Sequence, residues 1–341
     1  MKLSIVVPVY NMAGEGKLEY CIRSLFCQTV DDYEIIAVDD ASTDDSLAVL
    51  KRLQKEQPDK LKVIASDRNR HQGGARNIGI KAASGTYLGM MDSDDWAAPD
   101  MFEKLLRKAE ETGADVVGCD FSLVHEHTME VGKIIPLNKG DQTGELTGEK
   151  KRNMILDPGS MVVKIWRRQM IAEHELWFPE DLFYEDNCMA SLWLLHCRHF
   201  EKVNEPLYYY YQHENSTIHY VSVGKCDDRV RAMELLLEKS RQYGFYEEYR
   251  NEFAFKYIEL AFVNTLFSCM GGKMKGKYAY VKSLYKRVNA TMPDFDKNPY
   301  YREKIGAEEQ KLIRILKKSE LLFFAYYNLL KTYRSFKKRR K

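Results

Sequence analysis

The chain opens on an unbroken apolar stretch, LSIVVPVY (residues 3–10), rich in β-branched side chains and lacking the apolar–polar alternation of a half-exposed strand. Such a run predicts a strand buried on both faces of a parallel sheet. LEYCIRSLFCQTV (18–30) then places apolar residues at helical spacing, and YEIIAVDD (33–40) is a second buried strand ending in acid. A helix from about Ser46 to Gln57, a third strand KLKVIAS (60–66), a helix from about Ala75 to Ala83 and a fourth strand TYLGMM (86–91) continue the alternation. Strand–helix–strand order of this kind predicts an α/β fold on a parallel sheet.

In such sheets ligands bind outside the carboxyl ends of the strands. The polar clusters fall there: Tyr10 and Asn11 after the first strand, Asp39 and Asp40 after the second, Asp92 to Asp95 after the fourth. Three clusters converging on one edge predict a site, whereas Asp44 and Asp45 read as caps of the helix at Ser46.

Past residue 100 the pattern mixes helix and strand, with ADVVGCDFSLVH (114–125) a strand and NKGDQTGELTGEK (138–150) a polar loop, either a lid or a plain solvent loop. From about Asp227 the spacing is helical throughout. The expected organisation is a domain over 1–226, with halves 1–100 and 101–226, and a helical region over 227–341. No apolar run is expected to reach the length of a membrane span, and no internal repeat is present in the sequence.

Charge changes this picture at one end. The chain carries a net +2, but residues 311–341 hold eleven Lys or Arg against Glu320 alone, which leaves the first 310 residues at −8. An acidic body does not suit nucleic acid; a basic tail suits an anionic membrane surface, or is a solvated terminus. Read as one helix, Leu312, Ile315, Leu316, Leu322, Phe323, Tyr326, Leu329, Leu330 and Tyr333 share a face opposite Arg314, Lys317 and Lys318. That face either lies in a membrane interface, favoured by the basic run Lys337 to Lys341, or packs on protein. Seven cysteines without a CxxC pair, following no secretory signal, predict a reduced cytoplasmic chain. His196, Cys197 and His199 read as a buried helix end rather than a metal site.

The chemistry must come from the acids. There is no G-x-x-x-x-G-K-[ST], and no G-x-G-x-x-G follows the first strand, so the backbone does not cradle a diphosphate in either of those ways. Asp92 and Asp94, two apart at a strand end, project to one side and offer hard oxygen donors to Mg²⁺ or Mn²⁺.

SIVVPVYN, YEIIAVDDASTDDS, ARNIGIKAASGTYLGMMDSDDWAAPD and FYEDN, in this order and spacing, resemble the family 2 glycosyltransferases over residues 3–217. The resemblance implies a GT-A fold, an inverting transfer of one sugar from a nucleotide-sugar donor, a UDP-sugar by family habit, to a glycan acceptor, and a role in cell-surface polysaccharide synthesis. It implies that Pro8, Val9 and Tyr10 lie beside the nucleotide, that Asp40 reads the base with Asp39 the less certain of the pair, and that Arg76 faces the nucleotide or its phosphates. Asp94 becomes the metal ligand, Asp92 lies near ribose or metal, and Asp95 supports them. For Arg76 a structural salt bridge, and for Asp95 a turn, stay open.

Of two Glu-Asp pairs in FPEDLFYEDN, the resemblance selects Glu185–Asp186, with Asp186 as the base; a helix cap is the other reading of Asp186. His213, where many relatives carry arginine, and Ser216 are implied contacts of the diphosphate. The processive members' Q-x-x-R-W motif is absent, so one sugar per encounter is expected. If the tail meets a membrane, the acceptor is a lipid-linked glycan at its cytoplasmic face. Two other functions fit the frame: a sugar nucleotidyltransferase, against which PVYNMAGEGKLEY lacks the glycine-rich, Arg-bearing first loop, and a catalytically dead membrane-associated scaffold, against which Asp40, Asp94 and Asp186 are intact.

Overall fold

The computed structural model describes residues 1–138, 140–212, 221–272 and 274–339. They form two compact units, Met1–Thr217 and Ile218–Lys341, dividing the chain nine residues before the expected 226/227 boundary. His213 and Ser216 lie outside the described residues.

The first unit is built on one sheet. Its strands are β1 (Leu3–Val9), β2 (Tyr33–Asp39), β3 (Leu61–Ala65), β4 (Tyr87–Met90), β5 (Trp96–Ala97), β6 (Val116–Val124), β7 (Lys133–Ile135), β8 (Gly144–Glu145), β9 (Lys164–Arg167) and β10 (His199–Tyr211). They stand in the order β3-β2-β1-β4-β9-β6-β10-β5, with β7 on β6 and β8 on β10. The helices between them are α1 (Lys17–Phe26), α2 (Ser46–Glu56), α3 (His71–Ala82), α4 (Met101–Thr112), α5 (Gly148–Leu156), α6 (Arg168–Glu173) and α7 (Glu185–His196).

All seven residues of β1 are buried, which is why its sequence shows no alternation. β1 pairs in parallel with β2 from Leu3↔Tyr33 to Val9↔Asp39 and with β4 from Leu3↔Tyr87, and β2 pairs in parallel with β3. Helix α3 closes on β1 so tightly that a Cβ on Gly79 would lie 2.4 Å from Val6 Cγ1. Beyond β4 the sheet is mixed: β9 runs antiparallel to both β4 and β6, while β6 and β10 are parallel. The chain runs from β1 outward to β3 and returns to β4 on the other side of β1, so the topological switch point lies at the carboxyl ends of β1 and β4. The stretch 138–150, read from sequence as a loop, contains β8 and the start of α5.

The second unit is helical: α8 (Val223–Gln242), α9 (Arg250–Lys256), α10 (Thr265–Gly271), α11 (Lys277–Thr291), α12 (Pro299–Lys304), α13 (Ala307–Lys318) and α14 (Glu320–Arg339). A π-helical stretch, Tyr257–Asn264, joins α9 to α10. Contrary to the sequence expectation, the resulting helix Arg250–Gly271 is long and apolar enough to cross a membrane by length and composition. Phe253, Phe255, Tyr257, Ile258, Phe262 and Leu266 are buried within the unit, which makes it the core helix of that unit.

The tail is not one amphipathic helix. Ser319 is extended (φ −162°) and separates α13 from α14, as a serine can when its hydroxyl offers the following backbone an alternative partner. The single face expected from Leu312 to Tyr333 is therefore split: Leu312, Leu316 and Phe323 are buried, while Leu322, Leu329 and Tyr333 are exposed.

Candidate active site

The loops at the switch point are stitched to each other by side chains. Asn11, in the left-handed region at φ 53°, accepts through Oδ1 from the Thr43 N–H at 2.8 Å, and Ser42 Oγ accepts from the Asn11 N–H at 3.1 Å. Asp44 accepts from the Ser46 N–H at 2.9 Å and from the Ala13 N–H at 3.0 Å, tying the start of α2 to the loop after β1, whereas Asp45, in the cap position, makes no side-chain capping bond. Pro8 and Val9 end β1 in the buried sheet, and Tyr10 stands exposed at the rim.

Asp39 and Asp40 are both buried at the end of β2. Both oxygens of Asp40 accept from the Arg70 N–H, at 2.9 and 3.0 Å, and burial pushes its carboxyl above the usual range against the pull of that bond. Asp39 Oδ2 accepts from the Ser42 N–H at 3.2 Å, while its buried Oδ1 meets no donor among the described residues. A buried carboxylate oxygen without a donor is an unmet acceptor.

After β4, Asp92 to Asp95 form a tight turn, the Asp95 N–H donating to the Asp92 carbonyl at 3.1 Å. Asp95 points inward: the Tyr208 hydroxyl donates to its Oδ2 at 2.6 Å and the Tyr211 N–H to its Oδ1 at 2.8 Å, tying the turn to the end of β10. Burial, with Asp94 and Asp92 beside it, pushes the Asp95 carboxyl well above the usual range. Asp92 and Asp94 are half-buried. Burial pushes the Asp92 carboxyl up; Arg76 pulls the other way, and the charges of Asp94 and Asp186 add to the rise.

Arg76 is 3% exposed. Its Nη2 donates to Asp92 Oδ1 at 2.9 Å and its Nη1 to Glu185 Oε1 at 2.5 Å, and its guanidinium lies 5.6 Å from the Phe178 ring centre. Gln72 Nε2 also donates to Asp92 Oδ1, at 2.8 Å. As placed, both Arg76 amino groups are engaged by carboxylates, which is the salt-bridge alternative for this residue.

The segment carrying Glu185 and Asp186 is docked onto α3. Asn77 exchanges two bonds with the Phe178 backbone, 2.9 Å from Nδ2 to the carbonyl and 3.0 Å from the N–H to Oδ1. A Cβ on Gly73 would fall 2.3 Å from the Pro179 carbonyl oxygen and 3.0 Å from Glu185 Cγ, so only glycine admits this approach. The two Glu-Asp pairs then part company. Arg68 grips Asp181 through both amino groups at 2.6 and 3.1 Å, and Arg70 holds Glu180 at 3.1 Å. Glu185 is buried against Arg76 and burial raises its carboxyl to about 7, the pull of Arg76 notwithstanding. Asp186 is exposed in the first turn of α7, where the helix N-terminus favours negative charge. Its Oδ1 accepts from the Asn187 N–H at 2.8 Å; Tyr184, at φ 67°, occupies the cap position.

The sequence reading thus named Asp92, Asp94 and Asp186, and the fold brings Asp94 and Asp186 within electrostatic reach of Asp92, which Arg76 holds. It passed over Glu185 as a partner of Arg76, Gln72 and Tyr208. Gln72 sits in the segment HQGGARN, and Tyr208 is one of four consecutive tyrosines in β10; neither carries a spacing signal of its own. Trp96, directly after the acids, is buried and ringed by Tyr20, His127, Tyr209 and Tyr211 with centroids 4.9 to 6.1 Å away. His196 and Cys197 close α7, with His196 Nδ1 2.8 Å from the Leu192 carbonyl and Cys197 Sγ buried over Trp193. A cavity of about 280 Å³ lined by Lys2, Tyr87, Glu110 and Arg167 lies at the opposite, amino-terminal edge of β1 and β4, away from these acids.

No group of three His, Cys, Asp or Glu side chains that could hold a metal occurs among the described residues. Asp92 and Asp94 fit a different arrangement, two hard oxygen donors with the remaining positions left to water and phosphate oxygens, which is how Mg²⁺ and Mn²⁺ are usually held. The charge of Asp94 adds to the rise of the Asp92 carboxyl, and a cation held between the two would relieve that repulsion.

Residues 4–164 match the model of the family described as glycosyl transferase family 2. The chain is 30% identical over 219 residues to the uncharacterized glycosyltransferase YibD of Escherichia coli (strain K12), a match covering 63% of this chain and 62% of that one. It therefore spans less than two thirds of this relative. Among solved structures, S. aureus TarS 1-349 superposes with a TM-score of 0.69 at 20% identity, covering 98% of this chain and 92% of that one; the same protein has been solved with UDP-GlcNAc. The mannosyltransferase PcManGT from Pyrobaculum calidifontis, in complex with GDP-Man and Mn²⁺, superposes with a TM-score of 0.51 at 15% identity over 96% of this chain and 87% of that one. These likenesses establish the GT-A fold.

Proposed function

We propose, from the match of residues 4–164 to glycosyl transferase family 2, that the chain moves one sugar from a nucleotide-sugar donor, UDP-linked, to a glycan hydroxyl with inversion, in cell-surface polysaccharide synthesis. The observation that carries the reading is the meeting of Asp92 and Asp94 with Glu185 and Asp186 across Arg76, at the switch-point crevice beside Asp39 and Asp40. The solved complexes of TarS with UDP-GlcNAc and of PcManGT with GDP-Man and Mn²⁺ support a nucleotide-sugar donor and a divalent ion.

In this reading Pro8, Val9 and Tyr10 flank the nucleotide, and Asp40 with the orphaned Asp39 Oδ1 accepts hydrogen bonds from base and ribose. Asp94 and Asp92 would hold Mn²⁺ or Mg²⁺, which supplies compensation for the negative charge of the departing diphosphate. Asp186 takes the proton of the acceptor hydroxyl as its oxygen bonds to the anomeric carbon from the face opposite the diphosphate. The anomeric carbon–oxygen bond to the diphosphate breaks, and its electron pair leaves on the phosphate oxygen. Asp186 suits the base role because it is exposed to an incoming hydroxyl, whereas Glu185 is buried against Arg76. Arg76 acts from beneath, fixing the donor-side Asp92 and the α7 start. The acceptor is a glycan, lipid-linked, reached at the cytoplasmic face of a membrane.

Calorimetric titration with UDP, with and without Mn²⁺, tests the donor site: metal-dependent binding lost in Asp94→Ala supports it. No binding of any nucleoside diphosphate sinks the transferase reading in favour of a scaffold.

A further inference from the structure

Helix α14 has two faces with opposite surroundings. One packs within the helical unit: Phe323 is fully buried, Phe324 meets Tyr278 at 4.7 Å between ring centres, Asn328 Nδ2 donates to the Tyr278 hydroxyl at 3.0 Å, and Lys331 Nζ donates to the Gly271 carbonyl at 3.2 Å. The other carries Leu321, Leu322, Leu329, Tyr333 and Phe336, which are 81%, 62%, 67%, 63% and 63% exposed. At 100° per residue these five fall within a sector of about 120°, centred roughly opposite Phe323. A coherent stripe of five large apolar side chains left in water marks an interaction surface.

Charge selects what covers it. From Leu321 to Lys341 the chain has seven Lys or Arg and no acid; Lys331 is bonded to the Gly271 carbonyl and Arg334 is paired with Glu308, which leaves the five of the run Lys337 to Lys341. Two such helices placed stripe to stripe with their basic ends together would gather ten of these cations, so a second copy of this chain in that arrangement is disfavoured by repulsion. An anionic lipid surface is attracted by the same charges, with roughly 1 kcal/mol per cation near the headgroups, and accepts the apolar stripe below them.

We propose that α14 lies in the plane of an anionic membrane, with Leu321, Leu322, Leu329, Tyr333 and Phe336 in the headgroup–acyl boundary and the Phe323 face held by its own unit. This surface keeps Leu322, Leu329 and Tyr333 of the face read from the sequence and adds Leu321 and Phe336, whereas Leu312, Leu316 and Phe323 are buried in the unit. It stands on the second unit alone and is independent of sugar transfer.

The test is flotation of the full chain with vesicles of phosphatidylcholine alone and of phosphatidylcholine with about one quarter phosphatidylglycerol. The full chain co-floats with the anionic vesicles and not with the neutral ones, and less at high salt. The double substitution Leu322→Asp with Leu329→Asp lowers the bound fraction at least about tenfold, with unchanged helical circular dichroism and thermal melt because both positions are exposed. The proposal is overturned if the full chain floats with neither vesicle, if the double variant floats as well as the unchanged chain, or if light scattering shows a dimer that the variant dissolves while vesicles stay unbound.

Discussion

Arg76 Nη1 donates to Glu185 Oε1 at 2.5 Å across 109 residues of sequence, and each side chain is 4% exposed. A buried pair of this kind contributes little beyond a well-packed apolar pair, but removing one partner strands the other. Arg76→Met should therefore destabilise the chain by about 3–5 kcal/mol, because Glu185 and Asp92 lose their common counter-charge together. Glu185→Gln keeps a hydrogen-bond acceptor for Arg76 and should cost about 1–3 kcal/mol. Urea unfolding of both singles and the double closes the cycle, with the double less destabilised than the sum. Strict additivity would mean that the two side chains do not act as a pair in solution.

The two Glu-Asp pairs give a second contrast. Asp181 is 54% exposed and gripped by the 49% exposed Arg68, a surface pair worth about 0–1 kcal/mol; Asp181→Asn should leave turnover within about twofold. Asp186→Asn should lower kcat about a hundredfold to ten-thousandfold, the range of general-base loss, with UDP affinity unchanged within about twofold since Asp186 does not face the nucleotide in this reading. Isothermal calorimetry and a donor-consumption assay on the same preparations separate the two effects. Equal activity in the Asp186→Asn protein would remove it as the base.

Which of these features were legible in advance follows from the range over which each is determined. Strands β1, β2 and β4 and the polar residues at their ends are local signals: an apolar run sets the strand, and its polar terminus must then emerge at the sheet edge. The pairing of Arg76 with Glu185 is not local. Nothing in GGARN or FYEDN says that Gly73 lets α7 approach α3, nor that Asn77 docks Phe178 there. Helical spacing likewise continues through Ser319, so the break between α13 and α14, which decides which side chains face water, is invisible to periodicity. Residues 250–271 hide their length as a helix because Tyr257, Glu259 and Asn264 interrupt the apolar run in sequence while the helix continues through a π-helical stretch.

Tyr208 gives a prediction for the acid turn itself. Its hydroxyl donates to Asp95 Oδ2 at 2.6 Å with both groups buried, and Asp95 holds the turn that presents Asp92 and Asp94. Tyr208→Phe leaves a buried carboxyl oxygen without its donor, which should cost about 1–3 kcal/mol in urea unfolding and weaken Mn²⁺-dependent UDP binding while leaving metal-free binding unaltered. If both forms of binding fall together, Tyr208 supports the whole crevice rather than the turn.

Lys164 sets a pH dependence. It is fully buried at the start of β9, its ammonium donating to the Ser160 carbonyl at 2.6 Å and the Pro158 carbonyl at 3.1 Å around Gly159, which holds φ at +63°. Burial pulls its pKa down to about 7 from 10.5. Between those values the unfolded chain binds a proton at this lysine that the folded chain does not, so the Lys164 contribution to stability becomes more favourable as pH rises through this window. The difference in unfolding free energy between the unchanged chain and Lys164→Met should therefore climb from about pH 7 to about pH 9, by at most about 1.4 kcal/mol per pH unit. Urea melts of both proteins across that range read it directly, and taking the difference cancels the other titrating groups. A flat difference would mean that the lysine stays charged in the fold, held by the Pro158–Ser160 carbonyls strongly enough to outweigh its desolvation.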